Sequence, residues 1–301
     1  MPKLIDSQLV YFYVLGDPIS HSLSPVIQNR ILAELKVDGI YLPIRVKKHE
    51  VESFFQFMVQ EGNTKGCNIT LPLKEKSMFY VRQIDPIARK IGAINTVVLK
   101  EGQLVGFNTD AFGFGTSLIR DCRFDPREKI ALVYGAGGSS QAVIYSLAQM
   151  EINKIWICNR TKSRAKKIID KFQKLFPTLR FSFCDYNLKK VSQIISDCQI
   201  VINTTSVNCC LDKTTVQKFP FPSKNISPQT VLFDLNYPKE KMIWNHFVEI
   251  PKYDGVVMDG LGMLIYQAIR SMELWLEQEI PIDNTEKKIK SEILKKHPPM
   301  V

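Results

Sequence analysis

The sequence predicts an α/β protein in two parts, the second a nucleotide-binding fold built on a parallel sheet. Three observations carry that expectation. From about residue 129, short apolar runs alternate strictly with helical patterns, the spacing that parallel strands need for their crossovers. A glycine turn, VYGAGG, joins the first of those runs to the helix after it. The chain has 301 residues, enough for two domains of about 150 residues each.

In the first part, residues 11–15 read as a compact apolar strand. DPISHSLSP follows, and then Ile27, Ile31, Leu32 and Leu35 at helical spacing. Ser24 before Pro25 reads as the helix cap, a hydroxyl for the free N–H groups followed by a proline at the first helical position. Residues 40–46 form a second strand, 51–59 a helix rich in Phe and Met, and 66–71 a third strand ended by Pro72. Residues 95–99 and 103–107 read as two strands around a turn at Glu101-Gly102. A connection is expected over 110–128, where Asp125-Pro126 stands.

The second part runs strand 130–134, helix to 150, strand 154–158, basic helix 161–176, strand 180–184 and helix 187–196. Strands at 199–203, 231–235 and 248–251 complete it. A final helix over 260–278 carries Leu264, Ile265, Ala268, Met272 and Trp275 on one face. The lysine-rich tail from Asn284 reads as frayed.

Composition narrows the function classes. Seven scattered cysteines without a CxxC, and four histidines apart from them, argue against a disulfide framework and a zinc site. No metal site is expected. The longest uncharged stretch, 130–150, has the length of a bilayer span, but Gly135, Gly137, Gly138, Ser139, Ser140 and Gln141 make it a strand, a turn and a helix. No basic region followed by an apolar run stands after Met1, so a cytoplasmic location is expected. Forty basic against 30 acidic residues give a net charge of +10, open to nucleic acid, anionic membranes or anionic small molecules.

The glycine turn sits where a dinucleotide site requires it. Gly135 permits the tight turn, Gly137 lets a pyrophosphate approach the backbone, and the helix start offers N–H groups and a positive dipole end. Ser140 replaces the third glycine of the usual pattern. The next strand ends in Asn159-Arg160-Thr161, then Lys162 and Arg164, with no acid to bind a ribose 2′-hydroxyl. Guanidinium groups there suit a 2′-phosphate, which favours NADP over NAD. In the first part, Ser22 and Ser24 place two hydroxyls at a strand-to-helix junction, suited to a polyol or a carboxylate. Asn68 and Thr70 share a strand face, Lys74 lies just beyond Pro72, and Asn95 and Asp110 each close a short β run.

Taken in order, HSLSP, NITLPLKE, GAINT, GFNTD, GAGG, NRT and MLIYQA resemble the shikimate dehydrogenase family over about residues 11–280. The resemblance implies a substrate-binding α/β domain (1–112), a Rossmann-like NADP domain (113–258), and a C-terminal helix and tail (259–301) returning to the first domain. It implies that Ser22 and Ser24 bind a substrate carboxylate, and that Thr70, Asn95 and Gln267 surround the ring hydroxyls. Lys74 and Asp110 would be the catalytic pair. Gly135, Gly137 and Gly138 would hold the pyrophosphate, and Asn159, Arg160, Thr161 and Arg164 the adenosine phosphate end. Thr205 and Ser206 match a stretch lining the cofactor site, and Met263 one near the nicotinamide. Asp17, Leu23, Ala111 and Asn208-Cys209-Cys210 depart from the common family pattern.

The implied reaction is hydride transfer between NADPH and 3-dehydroshikimate, giving shikimate in aromatic amino-acid biosynthesis. Lys74 would stabilise and protonate the ketone oxygen while Asp110 orients it. Quinate or an amino analogue as substrate is an alternative, and a non-catalytic NADP-binding regulator is one from another class. The lysine–aspartate pair argues against the regulator. No nucleic-acid-binding signature is present, so the partner expected is a small-molecule substrate, without nucleic acid or membrane; a homodimer stays open. Residues 160–171 hold six basic residues against Asp170, and 284–301 five lysines against two glutamates. The charge points to an anionic cofactor more than to a polymer.

Overall fold

A computed structural model describes residues 8–208 and 210–296 of the chain. They fall into two compact units: residues 8–113 with 264–296, and the described residues of 114–263. Cys209 lies outside the described residues.

The first unit begins β1 (Val10–Gly16), α1 (Ser24–Glu34), β2 (Gly39–Arg45), α2 (Val51–Glu61) and β3 (Thr64–Ile69). It continues with β4 (Gln83–Ile84), α3 (Pro86–Ile91), β5 (Thr96–Lys100) and β6 (Gln103–Phe107). The strands form one sheet in the order β2-β1-β3-β5-β6-β4. β1 is parallel to both β2 and β3, whereas β5 runs antiparallel to β3 and to β6. The hairpin turn falls at Glu101 and Gly102, both at positive φ, as its tight geometry demands.

Both faces of the sheet are covered, so β1 is apolar nearly throughout. Tyr13 and Leu15 pack with Val51, Phe55 and Met58 of α2. Phe12 faces the other way, with its ring 5.0 Å from Trp275. The Trp275 indole donates to the Val97 carbonyl at 2.9 Å and crosses β3 at Gly66, where a Cβ would lie 2.3 Å from the indole nitrogen. Only glycine leaves room for that crossing.

α4 (Asp110–Arg120) leads from the first unit into the second. The second unit contains β7 (Ile130–Tyr134), α5 (Gly138–Gln149), β8 (Lys154–Asn159), α6 (Lys162–Leu175), β9 (Arg180–Asp185), α7 (Leu188–Ser192) and β10 (Ile200–Asn203). Then come α8 (Lys213–Gln217), β11 (Val231–Asp234), α9 (Trp244–Phe247) and β12 (Val257–Met258). All six strands are parallel, in the order β12-β11-β10-β7-β8-β9. The order reverses between β7 and β10, which is where such sheets bind ligands, outside the carboxyl ends of the strands. α10 (Leu261–Leu276) returns the chain to the first unit, and α11 (Ile282–Lys296) follows.

Five expectations are corrected. Residues 248–251 are not a strand: a 3-10 turn occupies Ile250–Lys252, and the sheet edge is β12. The expected connection begins with helix α4, so Asp110 opens a helix and does not close a β run; Asn95 likewise closes none, standing just ahead of β5. As far as Lys296 the lysine-rich tail is α11, not a frayed end, and it buries Thr285, Ile289 and Ile293 at helical spacing, while residues 297–301 lie outside the described residues. α3 and β4, between the second and third sequence motifs, were not expected. Ser24 is not a side-chain cap: it is the first residue of α1, and its N–H is accepted by Ser22 Oγ at 3.3 Å. The helix starts one residue earlier than Pro25 suggests, which puts Leu23 at the cap position with no side-chain cap bond.

Candidate active site

In the first unit the polar motifs meet at one edge of the sheet. β1 and β3 end there, β5 begins there, and β6 delivers Asn108, Thr109 and Asp110 to it. Thr70 follows β3, with its N–H on the Leu15 carbonyl at 2.8 Å, and Ser22 and Ser24 open α1 beyond β1. Lys74 is tied in through its carbonyl, which accepts the Ile94 N–H at 3.0 Å.

Lys74 Nζ donates to Asp110 Oδ2 at 2.6 Å, and the two side chains are only 15% and 6% exposed. Asp110 Oδ1 accepts from Asn95 Nδ2 at 2.9 Å. The Asn95 amide cannot flip, because its Oδ1 accepts the Thr109 N–H at 2.7 Å. That leaves Nδ2 to serve both Asp110 and Gln267 Oε1, the latter at 3.1 Å. Gln267 is held in turn by a bond from Nε2 to the Leu264 carbonyl at 2.8 Å. The expected residues Lys74, Asp110, Asn95 and Gln267 thus form one hydrogen-bonded chain, charged at one end and neutral at the other. A buried carboxylate with two donors can hold an ammonium in a fixed position, which a proton-transferring group requires.

Beneath this chain lies a junction that the sequence reading missed. Ser271 Oγ stands 2.8 Å from Thr96 Oγ1 and 3.1 Å from Thr109 Oγ1, accepts from Asn68 Nδ2 at 3.0 Å, and bonds to the Gln267 carbonyl at 2.9 Å. Tyr41 donates its hydroxyl to Asn68 Oδ1 at 2.7 Å. Every member is buried. A serine or threonine in a strand or helix has an ordinary local reading; only the meeting of several elements reveals this cluster.

In the second unit the candidate cofactor residues stand at the carboxyl ends of β7, β8 and β10. Gly135 follows β7 at φ +114°, and a Cβ there would lie 2.3 Å from Thr204 Oγ1, so the turn requires glycine. Gly137 precedes α5 with no side chain capping that helix, and an added Cβ would meet nothing within 4 Å. Backbone N–H groups at the start of a 12-residue helix, with open space above a glycine, fit a pyrophosphate. Asn159 ends β8 and Thr161 precedes α6, again with no side-chain cap; Arg160, Lys162 and Arg164 are exposed beside it. Their guanidinium and ammonium groups fit a ribose phosphate. Thr205 and the exposed Ser206 follow β10, and Met263 lies buried in the first turn of α10. The residues present therefore fit NADP.

Among the described residues, no three His, Cys, Asp or Glu side chains are grouped to hold a metal ion, and no helix is long and apolar enough to cross a membrane.

Three family models match the chain: the shikimate dehydrogenase substrate binding domain over residues 14–97, shikimate / quinate 5-dehydrogenase over 121–247, and the shikimate 5'-dehydrogenase C-terminal domain over 260–290. The shikimate dehydrogenase (NADP(+)) of Halothermothrix orenii is 33% identical over 279 residues, covering 90% of this chain and 92% of that protein. The crystal structure of shikimate dehydrogenase from Aquifex aeolicus superposes with a TM-score of 0.81 at 31% identity, over 95% of this chain and all of that one. A Thermus thermophilus shikimate 5-dehydrogenase, solved in complex with NADP(H) and shikimate, gives 0.77 at 27% identity, over 94% of this chain and 99% of that one. On the motifs, the fold and these matches together, the chain belongs to the shikimate dehydrogenase family.

Proposed function

We propose that this chain is an NADP-dependent shikimate dehydrogenase, interconverting 3-dehydroshikimate and shikimate in the pathway to aromatic amino acids. The observation that carries the reading is the Lys74–Asp110 pair at 2.6 Å, a buried carboxylate on a partly buried ammonium, held by Asn95 and joined through it to Gln267. Relatives covering almost the whole chain bear the same activity in their names.

The roles divide along the chain. Residues 1–112 receive the ring, 113–258 the dinucleotide, and the helix within 259–301 returns Gln267 to the ring site. Ser22 and Ser24 bind the carboxylate; Thr70, Asn95 and Gln267 bind ring hydroxyls. Gly135, Gly137 and Gly138 hold the pyrophosphate, and Asn159, Arg160, Thr161 and Arg164 the adenosine phosphate. Thr205, Ser206 and Met263 line the remainder of the dinucleotide site.

When bound, NADPH supplies the hydride. Lys74 Nζ places its charge at the ketone oxygen, where negative charge develops, and gives that oxygen a proton. Asp110 Oδ2 fixes the direction of the ammonium, and Asn95 fixes the carboxylate. In the reverse direction Lys74 takes the hydroxyl proton back. The fixed pair removes most of the orientational cost of the transfer.

A cytoplasmic location and a homodimeric assembly complete the proposal. Fractionation and light scattering test them. The activity is tested by following NADPH absorbance with shikimate, with quinate and with neither, using NADP and NAD in turn. Shikimate with NADP giving the highest kcat/KM supports the reading. NADP binding without turnover of either acid would favour the regulator.

A further inference from the structure

The turn after β10 has no long helix behind it, and side chains of the second unit hold its backbone instead. Asn203, the last residue of β10, accepts the Thr205 N–H and hydroxyl on Oδ1 at 3.0 and 2.7 Å. Its Nδ2 donates to the Val207 carbonyl at 2.9 Å and to Asp234 Oδ1 at 3.0 Å. Asn236 reaches the same turn from the far side. Its Nδ2 lies 3.1 Å from the Thr205 carbonyl, 3.2 Å from the Val207 carbonyl and 2.8 Å from Asp234 Oδ1. Asp234, the fully buried end of β11, anchors both amides, and it also accepts the Asn236 N–H at 2.9 Å and the Ile243 N–H at 2.7 Å. The Asn236 carbonyl meanwhile accepts the Gly260 N–H at 3.1 Å, just ahead of α10 and Met263.

Asn236 therefore bridges the two segments that the proposed function assigns to the dinucleotide, the turn at Thr205 and Ser206 and the entry to α10. It belongs to neither. Its amide draws the Thr205 and Val207 carbonyls toward the sheet, which matches a buried Val207 beside an exposed Ser206.

We propose that Asn236 is a positioning residue for the dinucleotide: anchored on Asp234, it sets the shape of the 204–207 turn and so the affinity for NADP. The proposal rests on the NADP reading above. Asn236 is half-buried, and replacing it leaves the core residue Asp234 with Asn203 and two backbone donors.

The test uses the full chain with Asn236→Ala and Asn236→Leu, the second keeping the volume and losing the donors. NADP affinity is measured by titration calorimetry, thermal unfolding without ligand gives stability, and initial rates give KM for shikimate. With both donor–carbonyl bonds to the turn lost, NADP Kd rises about tenfold or more in both variants. KM for shikimate stays within about twofold of its original value, because the residues proposed for the ring lie in the other unit. An unchanged Kd in both variants overturns the proposal. So does a parallel rise in Kd and shikimate KM with a large fall in Tm, which marks a merely structural role. Failure of the unmodified protein to bind NADP would instead overturn the cofactor reading beneath it.

Discussion

Replacing Lys74 by Met removes the ammonium from the central pair while keeping most of the side-chain volume. Positioned proton transfer is worth roughly 10²–10⁴-fold, and kcat for shikimate oxidation falls by that factor. KM for shikimate changes less, since Ser22, Ser24, Thr70 and Gln267 are untouched. Stability moves as well. The pair is 2.6 Å apart with side chains 15% and 6% exposed, and breaking a buried pair by removing one partner costs about 3–5 kcal/mol. Asp110 retains the Asn95 donor at 2.9 Å, which places the loss near the lower figure, about 3 kcal/mol. The double change Lys74→Met with Asp110→Asn removes both charges and recovers most of that stability, yet none of the activity. Initial rates of NADPH formation give the first quantity and urea denaturation the second. A single variant with kcat within about threefold of the original would refute Lys74 as the acid and base. A double variant no more stable than the single one would refute the electrostatic account of the pair.

Three further outcomes are expected. Arg160→Ala and Arg164→Ala each remove a charged donor worth about 1.5–3 kcal/mol, so NADP binds roughly ten- to a hundredfold more weakly while NAD affinity hardly moves; calorimetry with both cofactors checks this. Ile289→Ala, at a residue only 1% exposed in α11, costs about 2–5 kcal/mol in urea denaturation, whereas a frayed tail would show no change. Burial pushes the Asp234 carboxyl up from 3.8 to about 7, against the donors that pull it down. Below 3.8 both states hold the proton; between 3.8 and about 7 the unfolded chain releases it and the fold retains it, so stability declines across that window and levels off above it. At about 1.4 kcal/mol per pH unit the decline reaches at most about 4 kcal/mol, and Asp234→Asn lacks this contribution when denatured at each pH.

Most strands and long helices were legible because each carries its own period. β7, α5, β8 and α6 repeat strand and helix patterns flanked by Gly135 or by Asn159-Arg160-Thr161, and no tertiary contact is needed to see them. The errors fall where local signals conflict with packing. Residues 248–251 have Val, Ile and Pro, a plausible edge strand, but there the chain folds into a turn and the sheet instead takes up Val257 and Met258. In α11 the lysines hide a stripe of Thr285, Ile289 and Ile293 that has meaning only once α1 offers a surface to bury it. Lys288 then pairs with Glu34 of α1 at 3.2 Å, a contact no tail composition could announce.

The site follows the same division. Lys74, Asn95 and Asp110 stand in compact polar motifs, but a lone lysine or a turn acid is ordinary by itself; their roles, and Gln267 altogether, came from the family resemblance that the motifs carry together. Thr96, Thr109 and Ser271 were passed over because hydroxyls in a strand, at a helix start and inside a helix are individually ordinary. Their role depends on positions as distant in sequence as Asn68 and Ser271 coming within 3.0 Å. The net charge resolves on the same ground. Lysines of α11 face Glu34 and Glu286, so the tail's excess belongs to a packed helix and its surroundings. Arg160, Lys162 and Arg164 instead stand exposed at the carboxyl edge of a parallel sheet, beside a glycine turn. A basic group in that position is placed where parallel sheets bind anionic ligands, which is why the proposed function assigns it to the cofactor, and the same number of charges elsewhere on the surface would not suggest one.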